Sequence, residues 1–215
     1  MTSFESGIDL LAEYLSKPLP GTASQYKMAP SLRKSSAAYL ETASNVKSSS
    51  VLLLLYPDTN SDLATVLIKR PLNSGVHSGQ IALPGGKVEP EDINSEATAK
   101  RETREEIGVP EHAIKILGAL TSLYIPASNF LVSPFIGYVS SPPQFSPDPA
   151  EVHQLITLPF KDLFQMPVGE SEFETLYGKI AAPCFFLQDH TIWGATAMIL
   201  SEVRDLIPGE LFGSR

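Results

Sequence analysis

Cysteine is nearly absent from this chain. Cys184 is the only one in 215 residues, so no disulfide can close within it. Its neighbours Phe185, Phe186 and Leu187 make a buried, inert thiol the expected state rather than a nucleophile. Positive charge is also scarce: 16 Lys and Arg against 24 Asp and Glu give a net charge of −8. That balance argues against broad nucleic-acid binding through a basic face. It leaves room for a small anionic substrate, because metal ions screen phosphates locally. Long apolar runs are missing. The longest aliphatic stretch, Val51 to Leu55, is far too short to span a membrane. The opening MTSFESGIDLLAEYL carries acids where a secretory signal carries a basic region. The expectation is a cytoplasmic protein that needs no membrane.

What remains is an ordinary globular composition, 43% hydrophobic and 19% charged. Its length suits one domain with a sizeable core. Ile8, Leu11 and Leu15 recur at helical spacing and predict an amphipathic helix over 5–16, ended by Pro18 and Pro20. Residues 20–50 are rich in Ser, Ala and Pro and read as a loosely structured arm. The division expected is therefore 1–49 for an N-terminal helix and extended arm, and 50–215 for the main domain. Strands are predicted at 51–56, 64–69, 81–83, 114–124, 131–139 and 152–158. Helices are predicted at 95–107, near 161–164 and at 195–206, with a closing hairpin over 175–188. Strands interleaved with a few helices predict an α/β or α+β domain.

The densest chemistry lies between Gly85 and Val109, in GGKVEPEDINSEATAKRETREEIGV. Glu102, Glu105 and Glu106 fall within five residues of a helix that stops at Gly108. Residues three and four apart share a helix face, and like charges there are destabilising unless a cation sits among them. Hard divalent cations such as Mg²⁺ prefer carboxylate oxygens. Glu102 and Glu106, at i, i+4, point the same way and are the principal candidate metal ligands. Glu105 is a third ligand or the partner of Arg101, four residues before it. An isolated E-x-x-E-E run is more often a solvated face. Here it follows Pro84-Gly85-Gly86, whose glycines permit close backbone approach.

The whole segment resembles the Nudix box, G-x5-E-x7-R-E-U-x-E-E-x-G-U with U apolar, over residues 86–109. Gly86, Arg101, Glu102, Glu105, Glu106, Gly108 and Val109 match its fixed positions. The stretch from Gly86 to Arg101 is one residue longer than the pattern. Asp92 aligns with its first acid, with Glu89, Glu91 and Glu96 crowded around it and the choice among them open. Thr103 stands where an apolar residue is usual. The resemblance implies a single-domain α/β/α sandwich with a mixed sheet. It also implies a Mg²⁺ or Mn²⁺ cofactor, a backbone oxygen from Gly86 as a further ligand, and structural roles for Gly85, Arg101 and Gly108. A homodimer is compatible with it.

Upstream, Arg70, Gly79 and Pro84-Gly85-Gly86 fall in register with the extra motif of the coenzyme A pyrophosphatase branch, L-L-T-x-R-(S/A)-x3-R-x3-G-x3-F-P-G-G. Ile68, Pro71 and Leu83 depart from it, and Gly75 occupies the position of its second arginine. Residues 124–134, 147–152 and 192–197 resemble three further segments of that branch. The activity implied is metal-dependent hydrolysis of coenzyme A or its thioesters to adenosine 3′,5′-bisphosphate and 4′-phosphopantetheine or its acyl form. The alternatives are a Nudix hydrolase of ADP-ribose, NADH or another dinucleotide, motivated by Gly75, and a silent Nudix fold that senses a nucleotide.

Candidate roles follow. A general base must stand on the water's side of the phosphorus. Many Nudix enzymes use a glutamate from a later loop, and Glu151, after the proline-rich 140–149, is best placed; Glu102 or Glu105 could serve instead. Arg70 and Lys87 flank the glycine turn and are candidate phosphate contacts. His77, on a loop, is expected to be solvated, with substrate contact as the alternative; Trp193 and Phe130 are expected in the core, with adenine stacking as the alternative.

Overall fold

The computed structural model describes residues 4–31, 33–72, 77–175 and 178–212. In chain order the elements are helices α1 (Phe4–Leu15), α2 (Thr22–Gln25) and α3 (Ser36–Leu40), then strands β1 (Lys47–Pro57), β2 (Leu63–Lys69), β3 (Ile81–Ala82) and β4 (Gly85–Lys87). Helix α4 (Ser95–Ile107) leads to β5 (Lys115–Ala119), β6 (Leu123–Ile125), β7 (Phe130–Tyr138) and β8 (Gln154–Pro159). Helix α5 (Phe160–Leu163), strands β9 (Val168–Thr175), β10 (Gly178–Leu187) and β11 (His190–Trp193), and helix α6 (Gly194–Leu206) complete the chain.

Strand β1 organises the larger sheet. It pairs antiparallel with β2 and β4 and parallel with β7, so the sheet is mixed. Leu52 to Leu55 are fully buried, because helices cover both faces of the sheet. A strand buried on two sides reads as a continuous apolar run rather than an alternating one. Successive side chains still part company. Leu52, Leu54 and Tyr56 join Val66 and Ile68 under α4, with Ala99 and Ile107. Leu53 and Leu55 join Leu67 on the opposite face, with Leu11 of α1 and Met198, Ile199 and Val203 of α6. The result is the expected α/β/α sandwich.

Three expectations need correction. The arm over 20–50 is not loosely structured: it holds α2, a 3-10 turn at Tyr26–Met28 and α3. Gln25 is fully buried, donating to Glu202 of α6 at 2.9 Å and to the Thr121 carbonyl at 2.7 Å. Glu202 also accepts from the Thr121 hydroxyl at 2.6 Å. Polar residues here buy a buried network, which composition does not reveal. Second, the strand expected over 114–124 is two, β5 and β6. Leu120 N–H still donates to the Pro134 carbonyl of β7, and the chain leaves the sheet only at 121–122, where Thr121 serves Glu202. Third, the hairpin placed at 175–188 begins earlier. β9 pairs antiparallel with β10, which pairs with β11, giving a separate three-stranded sheet. Among the described residues, no helix is long and apolar enough to cross a membrane.

Leu54 sits where β1 meets α4. Leu54→Ala should lower unfolding stability by about 2–5 kcal/mol, read as a lower urea midpoint at unchanged slope.

Candidate active site

The glycine turn sets the geometry. Gly85 has φ of +154°, and a β-carbon there would lie 2.3 Å from the Ser50 carbonyl oxygen and 2.6 Å from Val51 Cα. Only glycine fits so close to β1. Gly85 N–H then donates to Glu106 Oε2 at 2.8 Å, tying the turn to α4. That helix has defined ends. The Asn94 side chain caps its start by accepting from Ala97 N–H, and Gly108, at φ of +77°, closes it with its N–H on the Arg104 carbonyl. Thr103, at the position expected to be apolar, is buried and donates its hydroxyl to the Ala99 carbonyl at 2.7 Å. The helix backbone satisfies the one polar atom it would otherwise strand in the core.

Arg101 is the hub beneath the turn. It grips Asp92 through Nε and Nη2 at 2.9 and 3.0 Å, reaches Glu102 at 2.9 Å and Glu105 at 2.8 Å, and donates to the Lys87 carbonyl at 2.9 Å. All five guanidinium donors are thereby engaged. Asp92 also accepts from Thr98 and from Glu89 N–H, and Arg101 holds its carboxyl far below the usual carboxylate range. Among the four crowded acids, it is Asp92 that Arg101 holds. Glu96 instead pairs with Lys100 at 2.8 Å.

Carboxylate oxygens of Glu102, Glu106 and Glu151 all come within 4.8 Å of one another, although Glu151 lies 45 residues beyond Glu106 in sequence. Glu105 is not in this group. Its two oxygens are taken by Arg101 and Arg104, each at 2.8 Å. The Glu102 carboxylate rests against Gly86, where a β-carbon would meet it at 2.4 to 2.5 Å. Glu106 is 1% exposed. Burial raises its carboxyl to about 7; Arg70 and the Gly85 N–H pull it down, and Glu102 and Glu151 push it back up. Burial also raises Glu102, opposed by Arg101. Three hard oxygen donors converge at mutual cost, which a divalent cation would relieve.

A cavity of about 500 Å³ opens from these acids. Arg70 and Lys87 line it, but Arg70 is not free. It lies 3.5 Å from Glu106 and donates to the Gly85 carbonyl at 3.2 Å. His77 lines the cavity half-buried, 3.0 Å from Gln80 Oε1, rather than being simply solvated, and burial lowers its pKa. Trp193 and Phe130 also correct the core expectation: both are half-buried and line the cavity. Trp193 stacks on Phe173 with centroids 4.2 Å apart. Sequence reasoning missed Arg33 and gave no site role to Ser128, within the family-like segment 124–134; both line the same space. Arg33 lay in a segment read as irregular, with no motif to mark it. Gly75 falls outside the described residues. Cys184 is buried, as expected.

A family model described as the NUDIX domain matches residues 47–176. The chain is 32% identical over 161 residues to Nudix hydrolase 22, chloroplastic, of Arabidopsis thaliana, covering 72% of this chain and 53% of that protein. It is 33% identical over 140 residues to a human mitochondrial coenzyme A diphosphatase, covering 63% of this chain and 59% of that one. The match thus spans little more than half the length of these relatives, whose names place them in organelles. The crystal structure of a Nudix hydrolase from M. smegmatis, RenU, superposes with a TM-score of 0.50 at 15% identity, covering 75% of this chain and 85% of that one. That likeness is one of fold.

Two predictions rest on this geometry. A folded-state pKa near 7 against 4.5 for the ordinary carboxyl means the native state binds the extra proton between those values. Metal-free protein should therefore lose stability as pH rises from about 4.5 through 7. Glu106→Gln should flatten that dependence in thermal melts at pH 5 and pH 8. Separately, Gly86→Ala should push Glu102 out of the cluster and weaken Mn²⁺ binding in a titration, at a stability cost of about 1 kcal/mol. Gly85→Ala, which meets backbone, should cost more stability.

Proposed function

The chain belongs to the NUDIX family, and on that premise we propose that it is a Mg²⁺- or Mn²⁺-dependent hydrolase of the diphosphate bond in a nucleoside diphosphate derivative, coenzyme A or a thioester of it foremost. The observation that carries this reading is the convergence of Glu102, Glu106 and Glu151 at one end of a cavity bounded by the Gly85-Gly86 turn. The coenzyme A assignment is supported by the motif around Arg70, Gly79 and Pro84 and by the name of the human relative.

Glu102 and Glu106 would hold the cation, with Glu151 near enough to share it. The Gly86 carbonyl is a further oxygen by family resemblance. A bound divalent cation supplies charge neutralisation at the phosphoryl oxygens and lowers the pKa of water. The residues do the rest. Arg101 fixes Glu102 by a direct ion pair, so one ligand is oriented before substrate arrives. Gly85 N–H and Arg70 orient Glu106, and both favour its ionised form. Glu151, exposed at the cavity edge, is the candidate to take the proton of the attacking water. Arg70 and Lys87 offer positive charge to the phosphates. Water adds to one phosphorus as the bridging P–O bond breaks. With coenzyme A the products are adenosine 3′,5′-bisphosphate and 4′-phosphopantetheine. Glu105 remains a reserve base or ligand, which its two arginine partners disfavour.

Incubation with coenzyme A, with and without Mg²⁺ or Mn²⁺, should release adenosine 3′,5′-bisphosphate only in the presence of metal. Activity confined to ADP-ribose or NADH would move the specificity, as Gly75 in place of the motif's arginine motivates. Glu106→Gln should reduce turnover by more than the roughly 10–100-fold that follows loss of a residue merely supporting a ligand, with the fold intact. Undiminished turnover would remove the metal-helix argument.

A further inference from the structure

Arg33 is carried by the N-terminal arm, far in sequence from every residue of the acidic cluster. Its guanidinium carbon lies 5.9 Å from the ring centroids of both Tyr26 and Tyr39, and Nη2 donates to the Tyr124 carbonyl. No carboxylate among the described residues lies within ion-pairing distance of it. The contrast is with Arg70, Arg101 and Arg104, each beside an acid. Its Nε is buried and has no hydrogen-bond partner among the described residues. The same is true of Ser128 Oγ, on the turn between β6 and β7. Both residues line the cavity. A buried guanidinium N–H left unpaired costs about 1–3 kcal/mol or more. A cation fixed by aromatic rings and a carbonyl, with no acid, is preorganised for an anion from outside, and its planar fork matches phosphate.

Position separates this feature from the acids. Strand register places Lys87 beside Ser49, Ser49 beside Val132 and Val132 beside Leu123. All four line the cavity, so they mark a row across its floor. The row spans three strand spacings, on the order of 14 Å. The acids stand at its β4 end. Arg33, bonded to Tyr124, stands at its β6 end.

We infer that Arg33 and Ser128 form a second phosphate site, which takes a phosphate monoester carried on the ribose of the nucleotide while the diphosphate lies against Glu102, Glu106 and Glu151. The inference rests on the reading of the substrate as a nucleoside diphosphate derivative and adds to it a specificity determinant supplied by the arm. A 3′-phosphate and a 2′-phosphate share the chemistry that this site would recognise.

Titration calorimetry with adenosine 5′-monophosphate, 3′,5′-bisphosphate and 2′,5′-bisphosphate tests it on the wild type, Arg33→Ala, Arg33→Lys and Ser128→Ala. One bisphosphate should bind the wild type on the order of 10- to 100-fold more tightly than the monophosphate. Arg33→Ala should erase that preference while changing monophosphate affinity less than about twofold. Arg33→Lys should recover part of it, since it keeps the charge without the fork. Preference for the 3′ isomer upholds both the site and the coenzyme A reading. Preference for the 2′ isomer upholds the site and counts against coenzyme A. Equal binding of mono- and bisphosphates by the wild type, or equal loss for all three probes in Arg33→Ala, overturns the site. Should Arg33→Ala not fold, Arg33→Lys and Ser128→Ala carry the same comparison. Hydrolysis is assayed separately, so its failure leaves the binding result standing.

Discussion

At Gly85 the backbone lies so near β1 that a β-carbon would meet the Ser50 carbonyl oxygen at 2.3 Å. That approach lets Gly85 N–H reach Glu106, and so locks the α4 helix to the edge of the sheet through a buried hydrogen bond. The next residue, Gly86, leaves just enough room for the Glu102 carboxylate. With β4 pinned on β1 and the helix pinned on β4, the two acids hold their positions without any loop having to order around them. Rigid elements of this kind position ligands more sharply than flexible ones.

The same packing stores electrostatic cost. Glu106 is buried beside two further acids in a chain already eight charges negative. Arg101 relieves the flank of the cluster, and Arg70 part of its centre, but neither neutralises the three acids together. The fold therefore carries a cluster that is costly alone and favourable with a cation, which is how a site is tuned to bind rather than to maximise stability.

Around this centre the chain builds walls from distant places. The arm, fastened to α6 by the Gln25–Glu202–Thr121 network, brings Arg33 to the cavity. The separate sheet brings Thr175, Ile180 and Trp193. These walls lie around a floor belonging to the main sheet, so the walls of the cavity are separable from the part that holds the acids.

The sequence by itself determined the box helix and where it stops, because the charged run and Gly108 are local signals at fixed spacing. It determined the pairing of Glu102 with Glu106, since i, i+4 residues share a face whatever the surroundings. It also determined the buried centre of β1, which its unbroken apolar run announces. Only the tertiary structure decided which of four acids meets Arg101. That choice turns on the path of a seven-residue loop, 88–94, and not on residue type. Tertiary structure likewise brought Glu151 to the helix and made cavity walls of Trp193, Phe130 and Arg33. Each of these depends on contacts between segments far apart in the chain. Periodicity and capping register neighbours along a helix or strand, and such signals carry no information about which remote segment will close against them.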